Sequence, residues 1–390
     1  MSKLEELIEK LCPDGVEYKE IGSIAVLGAG GDVPKARFSA EKTVEFNIPI
    51  YSNGIEEKAI YGYTDIPKVD EPSITISARG TIGWCALRKE PFYPIVRLIY
   101  VTPNTEILVD FLKYVIDTIK FKVPKTGIPQ LTIPMVSKYK IPVPPLEVQR
   151  EIVRILDNFT FLTTELAAEL AARQKQYEYY RNSLLTFEDI QKSMIKSIPW
   201  VKLDNIIEFK NGKGHEKCIN ENGQYIVVNS KFISTNGRVK KFSDQQLSPL
   251  YNNDILMVMS DLPNGQALAK TYLVKENSLY TLNQRICALT VKNKNYSTKF
   301  LFYYLNRNKQ LLKYDNGVDQ TNLKKGDILT VIVPVISLAE QQRIVDILDR
   351  FDTLCNDITS GLPAEIEARQ KQYEYYRDKL LTFKELKKEA

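Results

Sequence analysis

Apolar residues recur in alternating steps of four and three along residues 146 to 187, the spacing that places them on one face of an α-helix. The register covers nearly five heptads and is typical of a coiled-coil seam. An isolated helix would leave this stripe in water, so the pattern predicts a helical partner of similar length. The seam positions are Ile152, Leu156, Phe159, Thr163, Leu166, Leu170, Arg173, Tyr177, Tyr180 and Leu184.

A second stretch near the end of the chain repeats the same register with one extra step of four residues. Ser360, Gly361 and Pro363 coincide with that step, and a proline disturbs a helix interior, so we expect a break there with a restart near Pro363. The first stretch has no such breaker and predicts one continuous helix. The second seam comprises Ile344, Leu348, Phe351, Cys355, Ile358, Leu362, Ile366, Arg369, Tyr373, Tyr376 and Leu380.

The segment before each helix reads as a mixed α and β body. Residues 72–87 alternate apolar positions about a turn at Arg79 and Gly80, and residues 253–270 do so about Asn264 and Gly265, which predicts a β-hairpin in each body. In both bodies this hairpin is followed by a helix, a polar loop and a strand, and proline lies at the end of that strand before the long helix begins. The predicted fold class is therefore α+β.

The sequence of the helical tail occurs twice in the chain. Residues 173–187 and 369–383 agree at 13 of 15 positions and differ only at Asn182/Asp378 and Ser183/Lys379. The bodies share little beyond apolar positions, so we interpret the chain as a tandem duplication of a unit of about 190 residues. The predicted domains are a first body at 1–144, a helical spacer at 145–196, a second body at 197–336 and a second spacer at 337–390.

Two arrangements of the helices fit this pattern. They could meet along their seams as a long antiparallel coiled coil with pseudo-twofold symmetry, or each could pack on its own body. Residues off the seam are duplicated as faithfully as those on it, which favours two equivalent binding surfaces for two copies of one partner. The candidate partner-binding residues are Gln174, Tyr179, Arg181, Gln370, Tyr375 and Arg377.

Charge is unevenly spread between the bodies. Residues 1–144 hold 18 Lys+Arg against 18 Asp+Glu, whereas residues 197–336 hold 19 against 11, a net charge of +8. A basic balance favours an anionic partner. Donor side chains suited to phosphates and base edges lie on the predicted turns of both bodies. The candidate DNA-binding residues are Arg79, Lys125, Gln130, Lys213, Lys231, Asn264, Gln320, Asn322 and Lys324.

Catalytic and metal-binding patterns are missing from the sequence. His215 is the single histidine, the five cysteines form no CxxC pair, and no phosphate-binding glycine motif occurs. We therefore assign no catalytic residue and no metal site. No apolar run is long enough to span a bilayer, and we expect a cytoplasmic protein. A self-contained DNA endonuclease and a coiled-coil protein scaffold remain alternatives.

The whole chain resembles the DNA-specificity subunit of Type I restriction-modification systems. The resemblance is carried by LEELIEKLCPDGVEYKEIG, the ISARGTIG hairpin, the exits IPVPPLEVQREIVRILD and VPVISLAEQQRIVDILD, the TTELAAEL repeat and both RQKQYEYYR tails. It implies two target-recognition domains that each read half of a bipartite, non-palindromic DNA site. It also implies binding of two methyltransferase subunits and of restriction subunits. S-adenosylmethionine, ATP and Mg²⁺ would then belong to those partners, with no cofactor on this chain.

Overall fold

The computed structural model describes residues 3–123, 129–187, 198–263, 265–357 and 359–386. The chain divides into two compact units. Unit 1 comprises Met1–Ala168 with Glu365–Ala390, and unit 2 comprises Glu169–Ala364. Each unit therefore contains one body together with helical segments that come from both repeats.

The helices agree with the periodicity of the sequence. One helix is continuous over 41 residues, about 60 Å at 1.5 Å per residue, as predicted. The described helices are α1 Lys3–Leu11, α2 Ile21–Ile24, α3 Val109–Thr118, α4 Ile133–Ser137, α5 Leu146–Thr186, α6 Ser230–Ser234, α7 Thr298–Leu305, α8 Lys309–Leu312, α9 Lys325–Leu329, α10 Leu338–Asn356 and α11 Leu362–Leu380.

The strands lie in the two bodies. Those of unit 1 are β1 Glu17–Glu20, β2 Ala25–Ala29, β3 Ile48–Tyr51, β4 Ile60–Thr64, β5 Ser73–Ile76, β6 Cys85–Arg88, β7 Tyr93–Pro94, β8 Ile99–Pro103 and β9 Lys140–Val143. Those of unit 2 are β10 Trp200–Lys202, β11 Ile207–Asn211, β12 Tyr225–Val228, β13 Phe242–Ser243, β14 Ile255–Val258, β15 Ser260–Asp261, β16 Thr271–Leu273, β17 Tyr280–Leu282, β18 Ile286–Val291, β19 Thr321–Asn322 and β20 Ile332–Pro334.

Both bodies use the same sheet topology. A four-stranded antiparallel sheet has the order β2-β8-β5-β6 in unit 1 and β11-β18-β14-β16 in unit 2. A three-stranded sheet, β4-β3-β7 or β13-β12-β17, and a two-stranded ribbon, β1-β9 or β10-β20, repeat as well, and unit 2 adds the short pair β15-β19. The hairpins predicted about Gly80 and Gly265 are confirmed, because β5 pairs with β6 and β14 pairs with β16. The α+β class and the repeat are thus confirmed.

A glycine in each body permits a close approach of two backbone segments. A Cβ on Gly30 would lie 2.5 Å from the Ile95 nitrogen, and a Cβ on Gly212 would lie 1.9 Å from the Asn283 carbonyl oxygen. Both distances are shorter than any real Cβ contact, so only glycine fits. Gly30, in the GAGG stretch at residues 28–31, is therefore required by the packing of the backbone.

A buried glutamine joins the first body to its long helix. Gln149, on α5, is fully buried, and its Oε1 accepts a hydrogen bond of 2.8 Å from the Leu108 N–H. Its Nε2 donates to the carbonyl oxygens of Glu106 at 2.9 Å and Pro144 at 2.7 Å. One side chain thus satisfies three backbone groups and fixes the direction in which the helix leaves the body.

The second body repeats this clamp. Gln341, on α10, is also fully buried; its Oε1 accepts from the Ser297 N–H at 2.7 Å. Its Nε2 donates to the carbonyl oxygens of Asn295 at 2.8 Å and Ile336 at 3.0 Å. The clamp is the same at equivalent positions although the surrounding sequences differ, so both helices leave their bodies in the same way.

The helices contact each other along the predicted seams. In unit 1 the rings of Phe159 on α5 and Tyr376 on α11 stack with centroids 5.4 Å apart. In unit 2 the rings of Phe351 on α10 and Tyr180 on α5 stack at 5.5 Å. The earlier residue of α5 contacts the later residue of the second helical region, and the later residue of α5 contacts the earlier one, which is antiparallel order. The coiled coil is confirmed, and the alternative in which each helix packs only on its own body is wrong.

The predicted break near Pro363 is also confirmed. Helix α10 ends at Asn356 and α11 begins at Leu362, which places Pro363 in the first turn, where its missing N–H leaves no bond unmade. The Asp357 carboxylate accepts bonds from Thr359 and Ser360, and these bonds hold its pKa at about 2. The seam position Ile358 lies outside the described residues.

Candidate nucleic-acid interface

Three polar side chains meet at one corner of the first body. The Oε1 of Gln130 accepts hydrogen bonds from Arg79 Nε at 3.1 Å, from Arg79 Nη2 at 2.8 Å and from Arg97 Nη1 at 3.2 Å. Gln130 is positioned by the next residue, because the Leu131 N–H donates to the carbonyl of Ala78. The structure thus brings together two predicted residues, Arg79 and Gln130, which are far apart in sequence.

Arg97 belongs to this corner although we did not select it as a site residue. Its side chain is exposed and its backbone has φ +60°, a left-handed conformation that is uncommon for a non-glycine residue. Asn53 stabilises the turn, since its Nδ2 donates to Val96 O at 2.7 Å while its Oδ1 accepts from the Ala78 N–H at 2.7 Å. Arg97 could have been found from the sequence, because it aligns with Arg285 when the two repeats are compared. Nothing in the sequence marked Asn53.

The second body builds the equivalent corner from different residues. The Leu323 N–H donates to Met259 O at 2.7 Å, as Leu131 does to Ala78, and this makes Asn322 the equivalent of Gln130. The predicted residue Gln320 lies two positions earlier and donates from Nε2 to Ser260 Oγ at 2.7 Å. Ser260 occupies the position of Arg79. The two corners therefore share a backbone frame and present different hydrogen-bonding groups.

Backbone bonds bring the predicted lysines of the second body close to this corner. The Lys213 N–H donates to Leu282 O, the Asn283 N–H donates to Val228 O, and the Met259 N–H donates to Arg285 O. Lys213 is exposed at the end of β11. Lys231, also exposed, lies on α6 just after β12. Arg285, the counterpart of Arg97, is exposed there too.

The remaining predicted DNA-binding residues are distributed as follows. Lys324 is exposed, and its N–H donates to the Asp327 carboxylate at 2.7 Å at the start of α9. Asn322 is exposed on β19. Lys125 and Asn264 lie outside the described residues. No measurement tests any of these assignments, and they stay predictions.

The predicted partner-binding residues lie on matching positions of α5 and α11. Tyr179 is 69% exposed and Tyr375 is 62% exposed, and Gln174 and Gln370 are exposed as well. Each tyrosine meets its seam neighbour edge-on, Tyr179 with Tyr180 and Tyr375 with Tyr376. Large aromatic side chains that remain in water beside a seam suit a protein interface.

Arg181 and Arg377 differ from these four residues because both are only partly exposed. Arg377 donates from Nη2 to Asp378 Oδ1 at 2.7 Å. Arg181 donates from Nη2 to the carbonyl of Asn306. Equivalent arginines therefore have different partners in the two units.

The single histidine of the chain and two of its cysteines, Cys85 and Cys287, are buried. His215 is buried, and its ring nitrogens lie 2.7 Å from Lys213 O and 2.8 Å from Thr281 Oγ1, so it is tied into the core. Burial raises the pKa of the Cys287 thiol to about 12, and burial beside Asp117 raises the pKa of Cys85. Such thiols are poor nucleophiles. No group of three or more metal-ligating side chains is found in the described ranges.

The family model of the type I restriction modification DNA specificity domain matches the chain twice, over residues 13–173 and 198–368. The chain belongs to this family. Each match contains most of one body and part of the helical segment that follows it, so the duplication inferred from the tails is a duplication of the family's domain. No helix within the described residues is long and apolar enough to cross a membrane.

Two curated relatives illustrate the similarity. The specificity subunit of the type I restriction enzyme EcoR124I/EcoR124II from Escherichia coli is 38% identical over 265 residues, which is 63% of this chain and 64% of that protein. A putative type I specificity subunit from Mycoplasma pneumoniae is 31% identical over 259 residues, which is 66% of this chain and 91% of that protein. The match thus spans 64%, less than two thirds, of the first relative's length.

Solved structures share the fold. The S subunit of a type I restriction-modification system from M. genitalium has a TM-score of 0.58 at 17% identity, with 94% of this chain and 96% of that chain covered. A chain from a study of complex assembly and conformational transition of the type I restriction-modification system has a TM-score of 0.58 at 16% identity, with 95% and 98% covered. At these identities the similarity concerns the fold alone.

Proposed function

We propose that this chain is the sequence-specific DNA recognition subunit of a type I restriction-modification complex. Each body reads one half of a bipartite target, and the paired helices bind two methyltransferase subunits, which restriction subunits join. The chain itself is not catalytic. S-adenosylmethionine, ATP and Mg²⁺ bind to the partner subunits rather than to this chain. The complex works in the cytoplasm.

One observation carries this proposal: the two corners have the same frame and different side chains. In the first body Arg79, Arg97 and Gln130 offer a guanidinium-rich surface of the kind that contacts guanine edges or phosphates. In the second body the exposed amides of Gln320 and Asn322 take this place, and Gln320 donates to the buried Ser260. Unlike readers on like frames fit two different half-sites, and a palindrome would need identical readers.

Exchange of one body tests this division of labour. Residues 1–144 are replaced by the first body of another family member, and methylated bases are mapped across the genome with and without the variant chain. We expect one half-site to change and the other to stay. A change in both half-sites would contradict independent reading.

Deletion of one helical tetrad tests the role of α5 as a spacer. Removing residues 167–170 shortens the helix by about 6 Å, which is under two base pairs at about 3.4 Å per step. We expect both half-sites to stay and the preferred gap between them to change. An unchanged gap would refute the spacer role.

Two assays separate the alternatives. Cleavage of plasmid DNA by the purified chain with Mg²⁺ would favour a self-contained endonuclease. Absence of salt-dependent DNA affinity in the complex with methyltransferase subunits would favour a protein scaffold, because phosphate contacts always make affinity fall with salt.

A further inference from the structure

The end of α5 in unit 2 carries a partly buried cluster of cations. Arg181 lies near Arg307 and burial, together with the Arg307 charge, lowers the pKa of Arg181. Burial and Arg307 also lower the pKa of Lys270. Among the described residues none of the three forms an ion pair, and Glu178, which acts electrostatically on Arg181, does not approach to ion-pair distance. Glu178 and Asp261 line a neighbouring cavity with Lys270 and Arg307, so it is Arg181 that lacks a carboxylate at ion-pair distance among the described residues.

A cavity of about 430 Å³ opens beside this cluster, and we call it the α5 cation pocket. Arg181, Arg307 and Lys309 contribute positive charge to its wall, and no Asp or Glu lines it within the described part of the chain. Two buried donors on its lining, Arg181 Nε and Trp200 Nε1, have no hydrogen-bond partner among the described residues. Buried donors are almost always satisfied in folded proteins, so this wall lacks an acceptor.

The equivalent place in unit 1 is already neutralised. Arg377 donates from Nε at 3.0 Å and from Nη2 at 2.7 Å to the Asp378 carboxylate. Tyr18 stands where unit 2 has Trp200, and its hydroxyl donates to Phe383 O at 3.1 Å. The tails differ at only two of 15 positions, and one of these replaces Asp378 by Asn182. That substitution removes the carboxylate from unit 2 alone.

We propose that the α5 cation pocket binds a carboxylate presented by a protein partner. Its wall combines three cationic side chains and two unsatisfied N–H groups with neutral side chains, and no described carboxylate lines it, which suits a ligand that accepts hydrogen bonds. The donors lie below the surface, where a carboxylate on a projecting side chain can reach them. A DNA phosphate, held between two sugars, is better served by exposed lysines such as Lys213 and Lys231.

The position on the helix supports a protein as the source. Gln174 and Tyr179 are exposed on the same helix within two turns of Arg181. This inference rests on the proposed function, in which these residues contact a methyltransferase subunit. It adds that the two tails bind their partners differently, since the arginine of unit 1 is already paired with Asp378.

Trp200 provides a direct probe of the pocket in the free chain. The protein has two tryptophans, so a ¹⁵N-indole spectrum contains one signal from Trp200 and one from Trp84 in unit 1, which serves as an internal control. The chain is titrated with acetate at constant ionic strength. We expect the Trp200 signal to move saturably and the Trp84 signal to stay. A Trp200 signal that does not move, or equal movement of both, would overturn the proposal.

Matched variants identify the cause of the response. Asn182→Asp restores the unit 1 arrangement, so its Trp200 signal should not respond to acetate and its Tm should rise by about 2 °C as the cations are neutralised. A wild-type response in Asn182→Asp would overturn the proposal. A response to inorganic phosphate or to a DNA duplex without one to acetate would identify the site as a phosphate site instead.

A further variant excludes an occupant from the chain itself. Glu188 and Asp189 are the nearest carboxylates that follow the helix in sequence, and they lie outside the described residues. In Glu188→Gln/Asp189→Asn the acetate response should equal that of the wild type. A response that appears only in this variant would mean that the chain fills its own pocket, and the proposal would be wrong.

The complex with methyltransferase subunits separates this proposal from the proposed function. Asn182→Asp and Arg181→Ala should weaken binding of one methyltransferase subunit roughly tenfold to hundredfold. Tyr179→Ala, outside the pocket, tests the helix surface. If Tyr179→Ala weakens binding and Asn182→Asp does not, the pocket proposal fails and the proposed function stands. If the wild-type chain binds no methyltransferase subunit, the proposed function itself fails.

Discussion

The two units agree in their frame and disagree at their corners. Gln149 and Gln341 make the same three hydrogen bonds, whereas Arg79 and Ser260 occupy one backbone position with unlike chemistry. Buried contacts constrain both partners at once, because a change in one leaves the other unsatisfied. Arg79 is only partly buried and Gln320, which contacts Ser260, is exposed, so internal packing constrains these corner side chains less. The comparison separates what holds the molecule together from what distinguishes its two ends.

Removal of the clamp should have the largest effect. Gln149→Ala leaves one N–H and two carbonyls without their partner inside the protein, and each buried unsatisfied group costs about 1–3 kcal/mol. We expect a loss of about 3 kcal/mol in the free energy of unfolding, measured in urea. Gln341→Ala should lose a similar amount, and exposed Gln174→Ala almost nothing. Clearly unequal losses from the two clamps would break the comparison.

Changes at the corner should affect one half-site and leave stability intact. Arg79→Ala removes two donors from the surface of the first body and should weaken binding to its half-site by about 1–3 kcal/mol. Gln320→Ala should act on the other half-site only. Competition binding with DNAs that carry substitutions in one half-site at a time measures both. Loss of discrimination at both half-sites from Arg79→Ala would contradict separate reading.

The paired aromatic stacks allow a test of the coil. Phe159→Ala removes a ring that stacks on Tyr376, and Phe351→Ala removes its equivalent on Tyr180, so each should reduce stability by about 1–2 kcal/mol. Hydrogen exchange should rise in α11 for the first variant and in α10 for the second. Exposed Phe161→Ala is the control and should leave exchange unchanged.

Removal of a carboxylate that is present in only one of the two helical regions should have the smallest effect on stability. Asp352 stands where the first repeat has Thr160, and burial raises its pKa. A raised pKa in the folded protein means that ionisation opposes folding, so this carboxylate reduces stability as the pH rises above its ordinary pKa. Asp352→Asn should therefore stabilise the chain at pH 7, by less than about 1 kcal/mol, and the gain should vanish in acid. A gain that persists in acid would refute this cause.

The sequence predicted the helices better than the corners. The seam, the continuous α5 and the break at Pro363 follow from periodicity and helix propensity, which depend on neighbours three or four residues away. Arg79 and Gln130 were both predicted, but their contact was not, because 51 residues separate them. Asn53 was missed for the same reason. Asn322 and Gln320 were both predicted, but which of them corresponds to Gln130 was not. Only the backbone bonds of Leu131 and Leu323 establish the true equivalence.

By itself the sequence determined the duplication, the helical seams, the hairpins and the family. Each of these follows from the spacing of neighbouring residues or from residues that are identical between the repeats. Only the tertiary structure decided that each unit combines helical segments from both repeats and that Arg97 joins Arg79 at one corner. It alone revealed that Arg377 donates to the Asp378 carboxylate whereas Arg181 donates to the Asn306 carbonyl. These features depend on which distant groups meet and how deeply they are buried. Nearly identical tails can therefore have different partners once they are folded.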